Sequence, residues 1–292
     1  MVELRILAPG DEAVLEAFLL QRIASSMFLL GNSRAVGLSD SGKRFHGTYA
    51  AAFVADAMVG VVGHFWNGNS ILEVPPVHAA ELCAYAIKQS GRLLAGLLGP
   101  ANQVAAALTG LGLGPTQLRL DSIESLFRLS LDELRVPSQL ASGAVHARAA
   151  RTSDLELLTA WRVAYSIEAL NEPDTGELFE SSRAAEERGI ADGQIWVAEV
   201  DGTPVATSGF NASVAEAVQI GGVYTPPALR SRGYARAALA QSLLDARARG
   251  IASSLLFTGD DNLAAQHAYQ ALGFERIGDY RITMLTSALS LG

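Results

Sequence analysis

A chain of 292 residues is long enough for about two domains. With 49% hydrophobic and 18% charged residues it can bury a core, which excludes wholesale disorder. A net charge of −8 excludes a general nucleic-acid binder, whose footprint would be basic, and the single cysteine, Cys83, excludes an internal disulfide or a cysteine-built zinc cage and suits a reducing compartment.

The segment Leu4–Asp11 reads as an extended run leading into a helix, with Asp11 as N-cap. Glu3, Arg5 and Asp11 fall where a secretory signal needs an apolar core, so a soluble cytoplasmic protein is expected. The apolar window Tyr49–Trp66 is broken by Asp56 and rich in alanine and glycine. It predicts two strands around a turn at Asp56–Met58, not a membrane span. The pair Pro75-Pro76 follows, and Val77–Ala86 predicts a helix. Leu98-Gly99-Pro100-Ala101-Asn102 then precedes Leu111-Gly112-Leu113. Residues 137–145, with Pro137, Ser138, Ser142 and Gly143, read as a linker.

After the linker the order repeats. Val145–Asp154 is again an extended run entering a helix, with Ser153 or Asp154 as N-cap. Trp196–Val200 and Val205–Phe210 read as strands joined at Asp201-Gly202, a strong hairpin signal. The strand Gln219–Thr225 reaches Pro226-Pro227, the helix Tyr234–Arg249 follows, and then the strand Ser253–Thr258. Phe257–Asn262 precedes Leu272-Gly273-Phe274, as its counterpart does in the first half. Five elements in shared order predict a duplicated α/β domain over residues 1–136 and 146–292. Each copy reads β-α-(α)-β-β-β-α-β-α-β, a mixed central sheet flanked by helices.

The two copies differ after the proline pair. In the second, Arg230-Ser231-Arg232-Gly233-Tyr234-Ala235 opens the helix. Free N–H groups and the helix dipole favour an anion there, and Gly233 puts no side chain in the way. In the first, no glycine or arginine appears before Gly91-Arg92, so the phosphate chemistry is expected once only. The absence of a Gly-Lys-Ser/Thr ending excludes a nucleotide-triphosphate loop of the P-loop kind.

This Arg-x-x-Gly-x-Ala motif lies between a strand and a helix. Asn262 follows, then Tyr269 within Ala268-Tyr269-Gln270-Ala271-Leu272-Gly273-Phe274. Together they resemble the GNAT N-acetyltransferases. The resemblance implies two tandem GNAT-like domains, the first having lost its cofactor signature, and acetyl-CoA as co-substrate. It implies that Val223 and Thr225 offer backbone groups to the pantetheine arm, and that Val223 or Tyr224 donates an N–H to the oxyanion. The N–H groups of Arg230, Ser231, Arg232, Gly233, Tyr234 and Ala235 would hold the pyrophosphate, with Arg232 or Arg236 reaching the 3′-phosphate. Asn262 is a cofactor contact on this reading and a helix N-cap on the plainer one. Tyr269 is a packed aromatic on the plainer reading. On the functional one its phenol protonates the departing thiolate, an exchange their similar pKa values allow.

The expected acceptor is a primary amine of a small molecule or peptide, attacking directly, with catalysis in the second copy. The amine must lose a proton, and Glu168, Glu172, Asp174 and Glu216 are the acidic candidates. Glu168, near the end of the first helix of that copy, is the preferred catalytic carboxylate because the resemblance places that helix end at the acceptor cleft, and Tyr165 shares its face. His267 points away from Tyr269. The competing reading is a non-catalytic acyl-CoA-binding regulatory or partner-docking protein. No metal, nucleic acid or membrane partner is expected, and a homodimer is left open.

Overall fold

The computed structural model describes residues 2–170 and 172–290. The first half runs β1 (Glu3–Ile6), α1 (Glu12–Leu20), α2 (Ile23–Val36), β2 (Gly47–Val54), β3 (Ala57–Phe65), β4 (Asn69–Glu73), α3 (Pro76–Ser90), β5 (Leu94–Pro100), α4 (Ala101–Gly110) and β6 (Leu118–Ser130). A four-residue helix, α5 (Ser138–Ala141), lies in the linker. The second half runs β7 (His146–Ala149), α6 (Leu155–Leu170), α7 (Gly176–Ala191), β8 (Ile195–Val200), β9 (Thr203–Ser213), β10 (Ala217–Tyr224), α8 (Tyr234–Ala248), β11 (Ser253–Gly259), α9 (Leu263–Ala271) and β12 (Glu275–Leu289). The α/β order expected of each half is the order observed.

Local chemistry sets the corners. Asp201 and Gly202 take φ of 50° and 74°, as a two-residue hairpin requires. The first-half hairpin turns one residue earlier than expected. Ala55 and Asp56 both have positive φ, at 47° and 66°, and Ala57 and Met58 already pair with Val54 and Phe53. A primed turn needs positive φ at both central residues because only then does its twist match the strands.

The expected aspartate caps are also corrected. Asp11 makes no side-chain cap on its helix; it accepts from the Ala8 N–H and from both guanidinium nitrogens of Arg5, at 2.9 and 3.0 Å. Asp154 does the same with the Arg151 N–H and with Arg148, at 2.7 and 3.1 Å. A charged fork–carboxylate pair outcompetes a neutral N–H as partner for the same oxygens.

The chain forms two compact units, neither continuous in sequence. One comprises the chain up to Leu126, Phe257–Asp261 and the chain from Arg276 onward. Its sheet has the order β1-β2-β3-β4-β5-β12. The β4–β5 pair is parallel and the others are antiparallel. β12 completes it, with Tyr280 opposite Pro100 and Met284 opposite Gly96. Leu72, Leu82, Leu94, Leu97 and Val104 fill its core.

The other unit comprises Phe127–Leu256 and Asn262–Glu275. Its strands β7-β8-β9-β10-β11 are antiparallel except for the β10–β11 pair. Phe127 and Leu129, at the end of β6, pack with Leu239, Leu243, Leu272 and Phe274. Each such leucine contributes roughly 1.5–3 kcal/mol on burial. Six alanines of α8 (Ala235, Ala237, Ala238, Ala240, Ala246, Ala248) favour the helix, and four of them are fully buried. The firm seating of α8 fixes the loop that precedes it.

Candidate functional site

The site of the second unit starts from an interruption in β10. Its parallel ladder with β11 runs through Ala217–Ser253 and Val218–Ser254 and ends at Gln219–Leu255. β10 itself continues to Tyr224. On its other side Gly221 pairs with Gly209 and Tyr224 with Thr207, so Gly222 and Val223 together face Ser208. This is a one-residue bulge, and it takes backbone groups out of the ladder. Gly222 sits at φ +60°, where glycine is unstrained. Just beyond, the Thr225 hydroxyl oxygen is buried without a hydrogen-bond partner among the described residues.

Pro226 and Pro227 then begin a short 3-10 turn, Pro227–Leu229, instead of a helix. The chain passes through Ser231 at φ +63° and Gly233 at φ +80° before α8 starts at Tyr234. A Cβ on Gly233 would lie 3.1 Å from Arg236 Nη2 and 3.4 Å from Gln139 Oε1. The glycine therefore keeps the helix N-terminus open, and the guanidinium of Arg236 sits beside it. Arg232 and Arg236 have no hydrogen-bond or ion-pair partner among the described residues.

Arg230 is committed differently. Its Nη2 donates to Glu168 Oε2 at 2.6 Å, its Nε to the Thr225 carbonyl at 3.0 Å, and its charge lies 5.8 Å from the Tyr224 ring centre. The hydrogen bond from Arg230 holds the Glu168 carboxyl below its ordinary range, so Glu168 is a weaker base while paired.

These groups fit the long, phosphorylated form of acetyl-CoA. An exposed helix start, two uncommitted guanidiniums, an orphaned hydroxyl and a strand whose ladder ends early supply anion and backbone contacts in sequence.

The remaining expected residues lie on and around α9. Asn262 caps it, its Oδ1 accepting from the Ala265 N–H at 3.1 Å. Tyr269 is buried, its ring 6.4 Å from that of Phe127 and 6.0 Å from that of Phe274. His267 is exposed on the same helix.

Two residues escaped the sequence reading. Arg162 of α6 donates to Glu186 of α7 at 3.3 Å, and among the described residues beyond the two neighbours of Gly222 its Nη1 alone comes within 4 Å of a Cβ built there. Glu186 is buried, and desolvation raises its pKa against the opposing pull of Arg162. Only the packing of α6 on α7 brings residues 162 and 186 together, so no local pattern announces them. Trp161, the neighbour of Arg162, rests 6.3 Å from Tyr224.

The equivalent place in the first unit is filled by the chain itself. Val74, the residue before its proline pair, donates its N–H to Gln103 Oε1 at 2.8 Å. Gln103 Nε2 and the Ser25 hydroxyl donate to Glu73, at 3.4 and 2.5 Å. Glu73 is buried, and desolvation raises its pKa. α3 begins directly at Pro76, with no loop between the prolines and the helix.

Residues 161–274 match the model of the acetyltransferase (GNAT) family. No curated protein matches the chain. Among solved structures, a GCN5-related N-acetyltransferase from Sphaerobacter thermophilus is 14% identical, with a TM-score of 0.60, over 99% of this chain and 98% of that one. A Drosophila protein is 13% identical with a TM-score of 0.66, over 96% and 98%. A tandem GNAT protein from the clavulanic acid biosynthesis pathway is 15% identical with a TM-score of 0.54, over 99% and 100%. At these identities the likeness establishes the fold, and it extends through both halves.

Proposed function

We propose that this protein, whose residues 161–274 match the GNAT acetyltransferase family model, acetylates a primary amine with acetyl-CoA as co-substrate. The acceptor is a small molecule or peptide, and catalysis lies in the second half. The observation that carries this reading is the bulge at Gly222–Val223 leading into the open loop Arg230–Ala235.

Bound acetyl-CoA supplies the thioester carbonyl that the amine attacks. On this reading the N–H of Val223, in the bulge, or of Tyr224, just past it, meets the charge that develops on the carbonyl oxygen. The loop N–H groups, Arg232 and Arg236 hold the phosphates. Arg230 exchanges Glu168 for phosphate, which leaves Glu168 free to take the proton of the amine. Tyr269 gives its phenolic proton to the sulfur as the carbon–sulfur bond breaks. Asn262 fixes the start of α9 and with it the height of Tyr269.

A cytoplasmic setting suits the single thiol, which is fully buried and pushed up in pKa by that burial. Among the described residues no helix is long and apolar enough to cross a membrane. The test is calorimetry with acetyl-CoA, then thiol release in the presence of amines. Binding with no thiol release from any amine would replace the enzyme by an acyl-CoA-binding regulatory protein, and no binding would end both readings.

A further inference from the structure

Three arginine–carboxylate pairs among the described residues are close and forked. Arg148 meets Asp154 at 2.7 and 3.1 Å, Arg281 meets Asp121 at 2.7 Å twice, and Arg5 meets Asp11 at 2.9 and 3.0 Å. Arg34 meets Glu16 through Nη2 at 2.7 Å, and the Arg162 pair is longer than any of these. Arg162 touches Glu186 through one nitrogen at 3.3 Å and makes no other hydrogen bond among the described residues. A guanidinium has five N–H donors in a planar fork, so four are left without a protein acceptor.

Its position gives those donors a use. Nη1 stands 3.9 Å from a Cβ built on Gly222, and no other described residue beyond the neighbours of Gly222 comes within 4 Å. Gly222 is the bulge residue, so the strand offers one residue of bare backbone beside the guanidinium, while the Asn211 side chain covers Gly221. The Arg162 side chain is 39% exposed while that of Glu186 is 8% exposed. The acid is thus the buried anchor and the arginine the group a solute can reach. A planar donor fork facing open space selects a planar anion, which a carboxylate satisfies bidentately.

We infer that Arg162 binds a carboxylate on the acceptor, so that the amine acetylated here belongs to an amino acid or another carboxylate-bearing amine. Glu186 acts through Arg162, as a positioning residue that aims the fork across Gly222. The inference rests on the acetyl-transfer reading for its chemistry, but not for its binding partner.

The experiment compares amines that differ only in the carboxylate, such as phenylalanine with phenethylamine and lysine with cadaverine. Thiol release should give the carboxylate member a kcat/KM at least tenfold higher, carried mostly in KM. In Arg162→Met the preference should vanish while the plain amines keep their rates. Glu186→Gln should weaken the preference and leave acetyl-CoA affinity unchanged, a split that a merely structural role would not produce. Calorimetry with N-acetylphenylalanine and N-acetylphenethylamine tests the same preference without turnover, and Arg162→Met should bind the two alike. Equal use of both members by the unaltered protein, or equal binding of both products, overturns the inference. Failure of acetyl-CoA to bind overturns the acetyl-transfer reading instead, and product binding still decides the role of Arg162.

Discussion

Gly233 and Gly91 share one backbone conformation and differ in what surrounds them. Gly233 has φ 80° and ψ 8°; Gly91, just past the end of α3, has φ 66° and ψ 8°. A Cβ on Gly91 meets nothing within 4 Å, whereas one on Gly233 meets Arg236 at 3.1 Å and Gln139 at 3.4 Å. Replacing either by alanine puts an L-residue in the left-handed region, at about 1–2 kcal/mol. For a chain of this size that lowers Tm by roughly 2–3 °C in both variants. The two should separate in binding. Gly233→Ala crowds the helix start and displaces Arg236, so the Kd for acetyl-CoA should rise at least about tenfold, or about 1.4 kcal/mol. Gly91→Ala should bind as the unaltered protein does. Thermal unfolding measures the shared strain and calorimetry the difference. Unchanged affinity in Gly233→Ala, or an equal loss in both variants, would refute the phosphate role of this loop.

Replacing Tyr269 with phenylalanine keeps the ring among Phe127 and Phe274, so acetyl-CoA should bind normally while kcat falls about 100-fold, measured as thiol release. Titration should find one acetyl-CoA per chain, because Gln103 already occupies the Val74 N–H in the first unit; two equivalent sites would contradict that geometry. Glu168→Gln should change Tm little, since its pair with Arg230 is exposed, worth about 0.2–1 kcal/mol. By releasing Arg230 it should tighten acetyl-CoA binding severalfold at low salt, and a weakened affinity would show that Glu168 holds Arg230 in its binding pose. Asp154 has its folded pKa lowered, first by the hydrogen bonds from Arg148 and also by the Arg151 N–H. Its contribution is therefore complete above the unfolded value of about 3.9 and is lost as pH falls through the folded pKa. Asp154→Asn should cost about 1.5–3 kcal/mol in urea unfolding at pH 7, and the gap should close below pH 4. A gap that stays constant into that range would assign the loss to packing rather than charge.

The parts of the fold legible in the sequence were those set by local chemistry. Strand–turn–strand spacing, the proline pairs and the glycine of the loop each act within a few residues, and they put the elements in the right order. The Asp56 hairpin slipped by one because an aspartate marks a turn without saying which two residues take positive φ; here Ala55 does, against its preference. Arg162 and Glu186 were illegible for another reason. They lie 24 residues apart on two helices, and nothing in either helix alone separates them from a solvated charge. Glu168 was seen but not its partner, since Arg230 lies 62 residues further on.

The pairing of Arg5 with Asp11 and of Arg148 with Asp154 bears on how the two halves came to differ. Each pair spans six residues, and each aspartate also accepts the N–H of the residue three before it, Ala8 or Arg151. This staple sits where the first strand turns into the first helix, in both halves. It does no chemistry, and it persists with the same atoms in the same roles. The stretch after the proline pair differs. In one half Pro227 starts a short turn that delivers an open loop; in the other Pro76 starts a helix at once, and Gln103 takes the N–H that a ligand would use. The element order and the staple are kept in both halves, while the anion loop occurs in one. The two halves thus share the features that fold a unit and diverge in the stretch after the proline pair, on which the proposed acetyl transfer rests.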